Sequence, residues 1–428
     1  MRPLVTMRSR LPLALLASIS AAALTIGACS QDAQPSTTDS AVRDTAATDI
    51  PVSDTARSDV AVPSTVDVGP TTTEAGTAET ATSEIVTADI TGTEARPRVL
   101  IDTDLGGGIP DDPESRGDPD DIQSLVRAVH YSDAIDIEGI VSTEAPGTAR
   151  PELIREWIRR TDVDHLRSLG YTDLMTEAEL LAAVKTGTRD RNGPGDGRST
   201  EGSRHIIARA HAGTGTDPLW VLAWGSLGTV AQALYDDPSI APKIRLYSIG
   251  DYNGRSNSAA RDFVLGFLDD HPDLWWVDNG TLPVQSRSTF EGVWRGGNQK
   301  GQWNRTTFLE RHIRGHGTTA GGEFSEKLGD AFPGAIGPPE AVGALKEGDS
   351  PSLLYLLSPR FGDVGDLDDP TRASWGGRFR RATPDFPNYY VDLNCPTPAQ
   401  CQATINRHRV DFLDHWRDRW DRYDEPNG

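Results

Sequence analysis

All ten tryptophans, nine tyrosines and ten phenylalanines of this 428-residue chain fall after residue 97. Residues 30–96, by contrast, hold no aromatic side chain and no leucine, and consist almost wholly of Ala, Thr, Ser, Asp, Glu, Val and Pro. Such a stretch cannot bury enough apolar surface to offset the entropy of ordering it. We read 29–96 as a disordered acidic tether, with a random-coil reach of roughly 45 Å. Its twelve acids against three arginines favour extension. Whatever folds must therefore fold from 97–428, roughly 330 residues, enough for a single large domain with a substantial core.

Residues 1–28 have the pattern of an export signal. Arg2, Arg8 and Arg10 stand without any acid, and an apolar run over 11–28 follows, broken only by Pro12, Ser18, Ser20, Thr25 and Gly27. It ends in Ile26-Gly27-Ala28-Cys29, small residues before a cysteine. This matches a lipobox, in which Cys29 is lipidated and becomes the mature N-terminus. The run is short for a spanning helix, and a plain signal peptide is the alternative. The expectation is a lipid anchor as the sole membrane contact, at a cell surface or outer membrane. The remaining cysteines, Cys395 and Cys401, then read as a small loop-closing disulfide in an oxidising compartment, with a half-built metal site as the alternative.

The folded part keeps a net charge of about −15, the whole chain's −21 less +3 from the leader and −9 from the tether. A basic footprint for a nucleic-acid polymer is absent.

Apolar runs and helical patterns alternate. Val99-Leu100-Ile101 reads as a buried strand, and Ile122, Leu125, Val126 and Val129 form a helical stripe behind Asp118-Pro119-Asp120-Asp121. Pro119 suits a first helical turn, and the aspartates suit a helix N-terminus. Strands are expected at 135–141, 219–224, 244–249 and 274–277, and helices at 151–160, 227–235, 259–268 and 407–423. Residues 281–339 are expected to form long loops and short helices. The alternation implies an α/β domain with a mostly parallel sheet flanked by helices. Ligands of such sheets bind beyond the carboxyl ends of the strands.

An acid cluster stands there. Asp102, Asp104, Asp111, Asp112, Glu114, Asp118, Asp120 and Asp121 lie within twenty residues. A solvated acidic loop is the plain reading. However, Asp102 and Asp104 end an apolar strand, and Asp120 and Asp121 open an apolar helix, so the two pairs should meet at the edge of the core. Clustered carboxylates repel, and a hard divalent cation with oxygen ligands relieves the repulsion. Calcium fits best, because it accepts many oxygens in loose geometry.

Asp102-Thr103-Asp104-Leu105-Gly106, followed by an Asp-Asp pair that opens a helix, resembles the DTDxGxDD signature of nucleoside hydrolases. Gly117-Asp118-Pro119-Asp120-Asp121-Ile122-Gln123-Ser124-Leu125-Val126-Arg127 is similar to the GDPDDxQSLVR run of a branch of that superfamily, the nucleoside-hydrolase-like domain of cellulose-binding surface proteins. Segments 135–141, 218–225, 347–354 and 375–379 fit the same branch, so the resemblance spans about 98–425. It implies a nucleoside-hydrolase-like fold and a calcium site. Asp104 and Asp121 would ligate through carboxylates, Trp224 through its carbonyl, and Asp349 would close the site. Asp102 would support the cluster, and Asp120 would be the base that deprotonates the attacking water. Two departures stand out. Residues 107–116 are an insertion that adds a second pair, Asp111-Asp112, and Gly348 precedes Asp349 where nucleoside hydrolases commonly carry a histidine.

Further candidates come from residue chemistry. Glu144, after a strand, could bind sugar hydroxyls, and His316 could serve as a leaving-group acid or be a surface histidine. Trp294, Trp303 and Trp375 could stack on sugar rings or pack within loops. Arg378 could bind a substrate hydroxyl or carboxylate, or serve structure. The expected ligand is a sugar-containing small molecule or oligosaccharide. The expected activity is calcium-dependent hydrolysis of glycosyl bonds, N-glycosyl by resemblance, with carbohydrate binding without turnover as the rival.

Overall fold

The computed structural model describes residues 95–106, 117–143, 149–280 and 289–424. The leader with Cys29, the tether, the 107–116 insertion with Asp111-Asp112, and Glu144 lie outside the described residues. Among those described, no helix is long and apolar enough to cross a membrane.

Eight strands form one sheet: β1 (Arg98–Thr103), β2 (Asp136–Ser142), β3 (Val184–Thr186), β4 (Leu219–Ala223), β5 (Ile244–Ile249), β6 (Trp275–Asn279), β7 (Phe379–Arg381) and β8 (Tyr389–Asp392). Their spatial order is β3-β2-β1-β4-β5-β6-β8-β7, parallel throughout except for the antiparallel edge strand β7. The main helices are α1 (Pro119–His130), α2 (Pro151–Thr161), α3 (Glu201–Ala212), α4 (Gly228–Asp236), α5 (Ser258–Phe267), α6 (Ser350–Gly362) and α7 (Arg409–Asp421).

A parallel sheet covered on both faces demands strands that are apolar on both sides, and β1 meets that demand. Alternate side chains point to opposite faces. Val99 and Ile101 join the core of α1, α2, α6 and α7, whereas Leu100 joins the core of α3, α4 and α5. The strand order reverses between β1 and β4, so the loops leaving their carboxyl ends diverge and open a crevice. Asp102 pairs in register with Ala223 of β4 and Val141 of β2. Thus the acid segment leaves the sheet at that crevice.

The expected strands and helices recur to within a few residues. Helix α6 was not legible as such, because Ser350 through Ser358 are all buried and leave no polar face to mark a helical period. The edge strands β3 and β7, and β8 beside β7, are only three or four residues long, too short for a pattern to stand out. Cys395 and Cys401 are joined by a disulfide.

Candidate functional site

Two backbone devices bring the acids together. Gly117 holds φ at +105°, and a Cβ there would lie 2.5 Å from the Leu105 carbonyl oxygen, which instead accepts from the Asp118 amide at 2.7 Å. Only glycine tolerates both demands. Asp118 then caps α1, its side chain accepting from the Asp120 amide, with Pro119 in the first turn. Asp120 and Asp121 consequently sit at the positive end of the α1 dipole. Thr103, at the end of β1, donates its hydroxyl to Asp121, which ties strand to helix. Gly225, just after β4, lies where a Cβ would approach Asp104 Cβ to 2.8 Å, so its missing side chain makes room for Asp104.

The fifth aspartate arrives from far along the chain. Segment 344–350 is clamped by the same helix that carries Asp120 and Asp121. Gln123 accepts from the amides of Lys346 at 2.9 Å and Glu347 at 2.8 Å, while its own amide group donates to the Pro333 carbonyl. Ser124 meets the Ser350 hydroxyl at 3.0 Å, and Arg127 forms a two-point ion pair with Glu347. The run Gln123-Ser124-Leu125-Val126-Arg127 is therefore the surface on which the Asp349 loop is seated.

Asp104, Asp118, Asp120, Asp121 and Asp349 line one cavity of about 400 Å3. Carboxylate oxygens of Asp118, Asp120 and Asp121 lie within 4.8 Å of one another. Asp349 is 4% exposed, and its Oδ2 has no hydrogen-bond partner among the described residues. A buried carboxylate oxygen left in that condition is costly, so its setting points to a cationic partner. Burial pushes the Asp349 carboxyl well above the usual carboxylate range, and the charges of Asp121, Asp120 and Asp104 push it further. Asp121 is raised by burial and then by Asp104 and Asp120; Asp118 is raised by burial and then by Asp120. Asp120 behaves oppositely. Its burial would raise it, yet the Lys346 ammonium at 2.5 Å from Oδ2, together with a hydrogen bond from Asp118, outweighs that and holds it low. A donor set made only of oxygens fits a hard cation such as calcium.

Asp102 lies fully buried beneath this floor, its backbone oxygen accepting from the Trp224 amide at 2.8 Å. Trp224 lines the cavity, and its carbonyl accepts from the Asn253 side-chain amide at 2.5 Å. Asn253 belongs to a short helix, Asp251–Ser256. The opposite wall is aromatic, with Trp294 and Phe290 deeper and Tyr252, 58% exposed, at the rim. Glu291 and Lys346 complete the polar lining, and Lys346 is the one basic side chain among the described lining residues.

Four sequence candidates lie elsewhere. Trp375 is buried against α6, where a Cβ on Gly362 would touch its ring. The apolar ring is taken up by the core. Trp303 is half-buried in a turn, and its carbonyl accepts from Arg409. His316 is drawn to Asp424, at 3.1 Å, and Asp421 past the end of α7. Arg378 is exposed and donates to the Thr371 carbonyl. None of these four lines the cavity. Of the three tryptophans considered, Trp294 is the one that does. Lys346 and Asn253 were not legible as site residues: Lys346 reaches the cavity on a loop clamped by Gln123, and Asn253 on a short helix after β5 that no apolar period marks.

The comparisons agree with this fold. No curated protein matches the chain in sequence. A nucleoside hydrolase-related hypothetical protein from Saccharophagus degradans, described as associated with carbohydrate metabolism, shares the fold at 21% identity and a TM-score of 0.54. That match covers 77% of this chain and 72% of the other. A plant nucleoside hydrolase aligns at 14% identity and a TM-score of 0.41, over 77% of this chain and 99% of its own. Residues 98–379 match the family model described as cellulose-binding Sde182, nucleoside hydrolase-like domain. With that match over most of its folded part, the chain belongs to the nucleoside hydrolase-like domain family of cellulose-binding Sde182.

Proposed function

We propose that the protein is a calcium-dependent hydrolase of glycosyl bonds, N-glycosyl by preference, held outside the cytoplasm by a lipid on Cys29. The observation that carries the reading is Asp349 Oδ2, without a hydrogen-bond partner among the described residues and buried beside four further aspartates at the crevice between β1 and β4. In this reading Asp104, Asp121 and Asp349 hold the ion with the Trp224 carbonyl, Asp118 stands beside them, and Asp102 supports them from below. A bound calcium ion supplies positive charge that offsets the carboxylates and polarises water and sugar hydroxyls.

The residues do the rest. Asp120 takes the proton of the attacking water, and the Lys346 ammonium keeps it in the carboxylate form that this role requires. Water adds to the anomeric carbon as the bond to the aglycone breaks, through an oxocarbenium-like state. The surplus of carboxylates over cations favours the positive charge that develops on the sugar. Tyr252, 58% exposed at the rim, offers a ring face for stacking, and the buried Trp294 packs behind it as part of the apolar wall.

Carbohydrate binding without turnover is the second reading. It is favoured by Lys346 holding Asp120 and by Gly348 standing before Asp349. The experiment that separates the two is calcium titration calorimetry on the wild type and Asp121→Ala, followed by assays of sugar release from nucleosides and oligosaccharides. Calcium binding lost in Asp121→Ala, with calcium-dependent release, supports the hydrolase. Calcium binding and oligosaccharide binding without release on any substrate would move the assignment to the second reading. Absence of calcium binding in the wild type would sink the metal site.

A further inference from the structure

We infer that Lys346 occupies the place of a divalent cation in the acidic cavity, so that the cavity takes one metal ion fewer than its carboxylates could hold. This extends the metal-site reading above, and the test below separates the two.

The carboxylate oxygens of Asp118, Asp120 and Asp121 fall within 4.8 Å of one another. One ion with calcium–oxygen distances of roughly 2.4 Å spans that separation. Together with Asp104 and Asp349 the cavity thus has more carboxylate oxygens than one ion needs, and Asp349 Oδ2, without a hydrogen-bond partner among the described residues, calls for a cation. Beside Asp120 a cation is already present. Lys346 Nζ stands 2.5 Å from Asp120 Oδ2, with the Trp294 ring 5.6 Å away. A partly buried ammonium between a carboxylate and an aromatic face is held by both.

Gly348 belongs to the same device. A Cβ at 348 would lie 2.5 Å from Asp120 Oδ2 and 3.7 Å from Lys346 Cε, so the ion pair excludes a side chain there. Lys346 is a positioning residue in this arrangement. It balances Asp120 without drawing it into a metal's coordination shell, and so leaves that carboxylate facing the ligand.

The test counts ions. The intact protein, Lys346→Met, Lys346→Gln and Lys346→Arg are titrated with calcium and with manganese by calorimetry, and the manganese forms are examined by electron paramagnetic resonance. The neutral variants are expected to bind one equivalent more than the wild type and to show a spin-coupled manganese pair if the wild type binds one ion. Lys346→Arg should keep the wild-type count. Equal counts in the wild type and whichever neutral variant keeps a cooperative unfolding transition would overturn the inference. A wild type that binds no ion, beside a neutral variant that binds one, would support it while sinking the metal-dependent reading of the function.

Discussion

Arg127 and Glu347, 220 residues apart, form a two-point ion pair at 2.6 and 3.0 Å with almost no solvent exposure on either side chain. The guanidinium also donates to the Phe412 carbonyl and lies 4.1 Å from the centre of the Trp416 ring. Three pieces of the domain meet there: the helix that carries Asp120 and Asp121, the loop that carries Asp349, and the closing helix α7. Glu347 holds a left-handed φ of 49°, an unfavourable conformation for a side chain with a Cβ, and the pair is what holds it.

Removing one partner of that pair should be severe. Glu347→Gln strands a buried guanidinium, and Arg127→Met strands a buried carboxylate, each costing about 3–5 kcal/mol. Denaturant unfolding would read the loss. A cost under about 1 kcal/mol in both variants would show that the pair does not hold the loop. Arg127→Lys should recover only part, because an ammonium cannot match the two-point geometry.

Calcium should stabilise the folded state. At a free concentration of a hundred times its dissociation constant, the gain is about 2.7 kcal/mol. Asp349→Asn keeps the shape and removes the charge, and its thermal midpoint should respond to calcium far less than that of the wild type. Identical responses in the two proteins would remove Asp349 from the metal site.

Gly225→Ala should weaken calcium binding roughly tenfold or more, about 1.4 kcal/mol. The added methyl would meet Asp104 Cβ at 2.8 Å and the Thr143 methyl at 2.9 Å, so Asp104 must shift. Calorimetry gives the affinity directly. An unchanged dissociation constant would place Asp104 outside the ligand set.

Acid should destabilise the region around α7 through two histidines. Burial pushes His130 well below the usual histidine range, with Arg419 adding to it, and burial followed by Arg419 lowers His415 to about 4. Both are therefore neutral when folded and protonate more readily when unfolded. Their contribution is complete above about pH 6.5 and declines as pH falls toward about 4. The raised carboxyls of the cavity act in the opposite sense, so the comparison is with His415→Gln. Between pH 7.5 and 4.5 the wild type should lose roughly 1–2 kcal/mol more than the variant, after allowance for partial exposure. Parallel pH profiles would contradict the assignment.

The proposed lipid anchor on Cys29 has its own test. Palmitate labelling and partition into a detergent phase should both be lost in Cys29→Ser. Labelling that survives the substitution would move the anchor elsewhere.

The chain alone determined its α/β class, the order of its main strands and helices, and the meeting of Asp102 and Asp104 with Asp120 and Asp121. Those are local matters. An apolar run fixes a buried strand, Pro119 and the aspartates mark a helix start, and a strand end and helix start in sequence are neighbours in a parallel sheet. Helix α6 escaped that reading because burial on all sides erases the periodicity by which a helix is known. Tertiary structure alone decided which long-range residues complete the cavity. Lys346 reaches it on a loop whose path is set by Gln123, more than 200 residues away in sequence, whereas Asn253 reaches it from a short helix and Trp294 from the end of another. It likewise placed Trp375 in the core and His316 beside α7. Whether a loop residue faces a cavity depends on what clamps its backbone, and that information lies in distant partners rather than in its own neighbours.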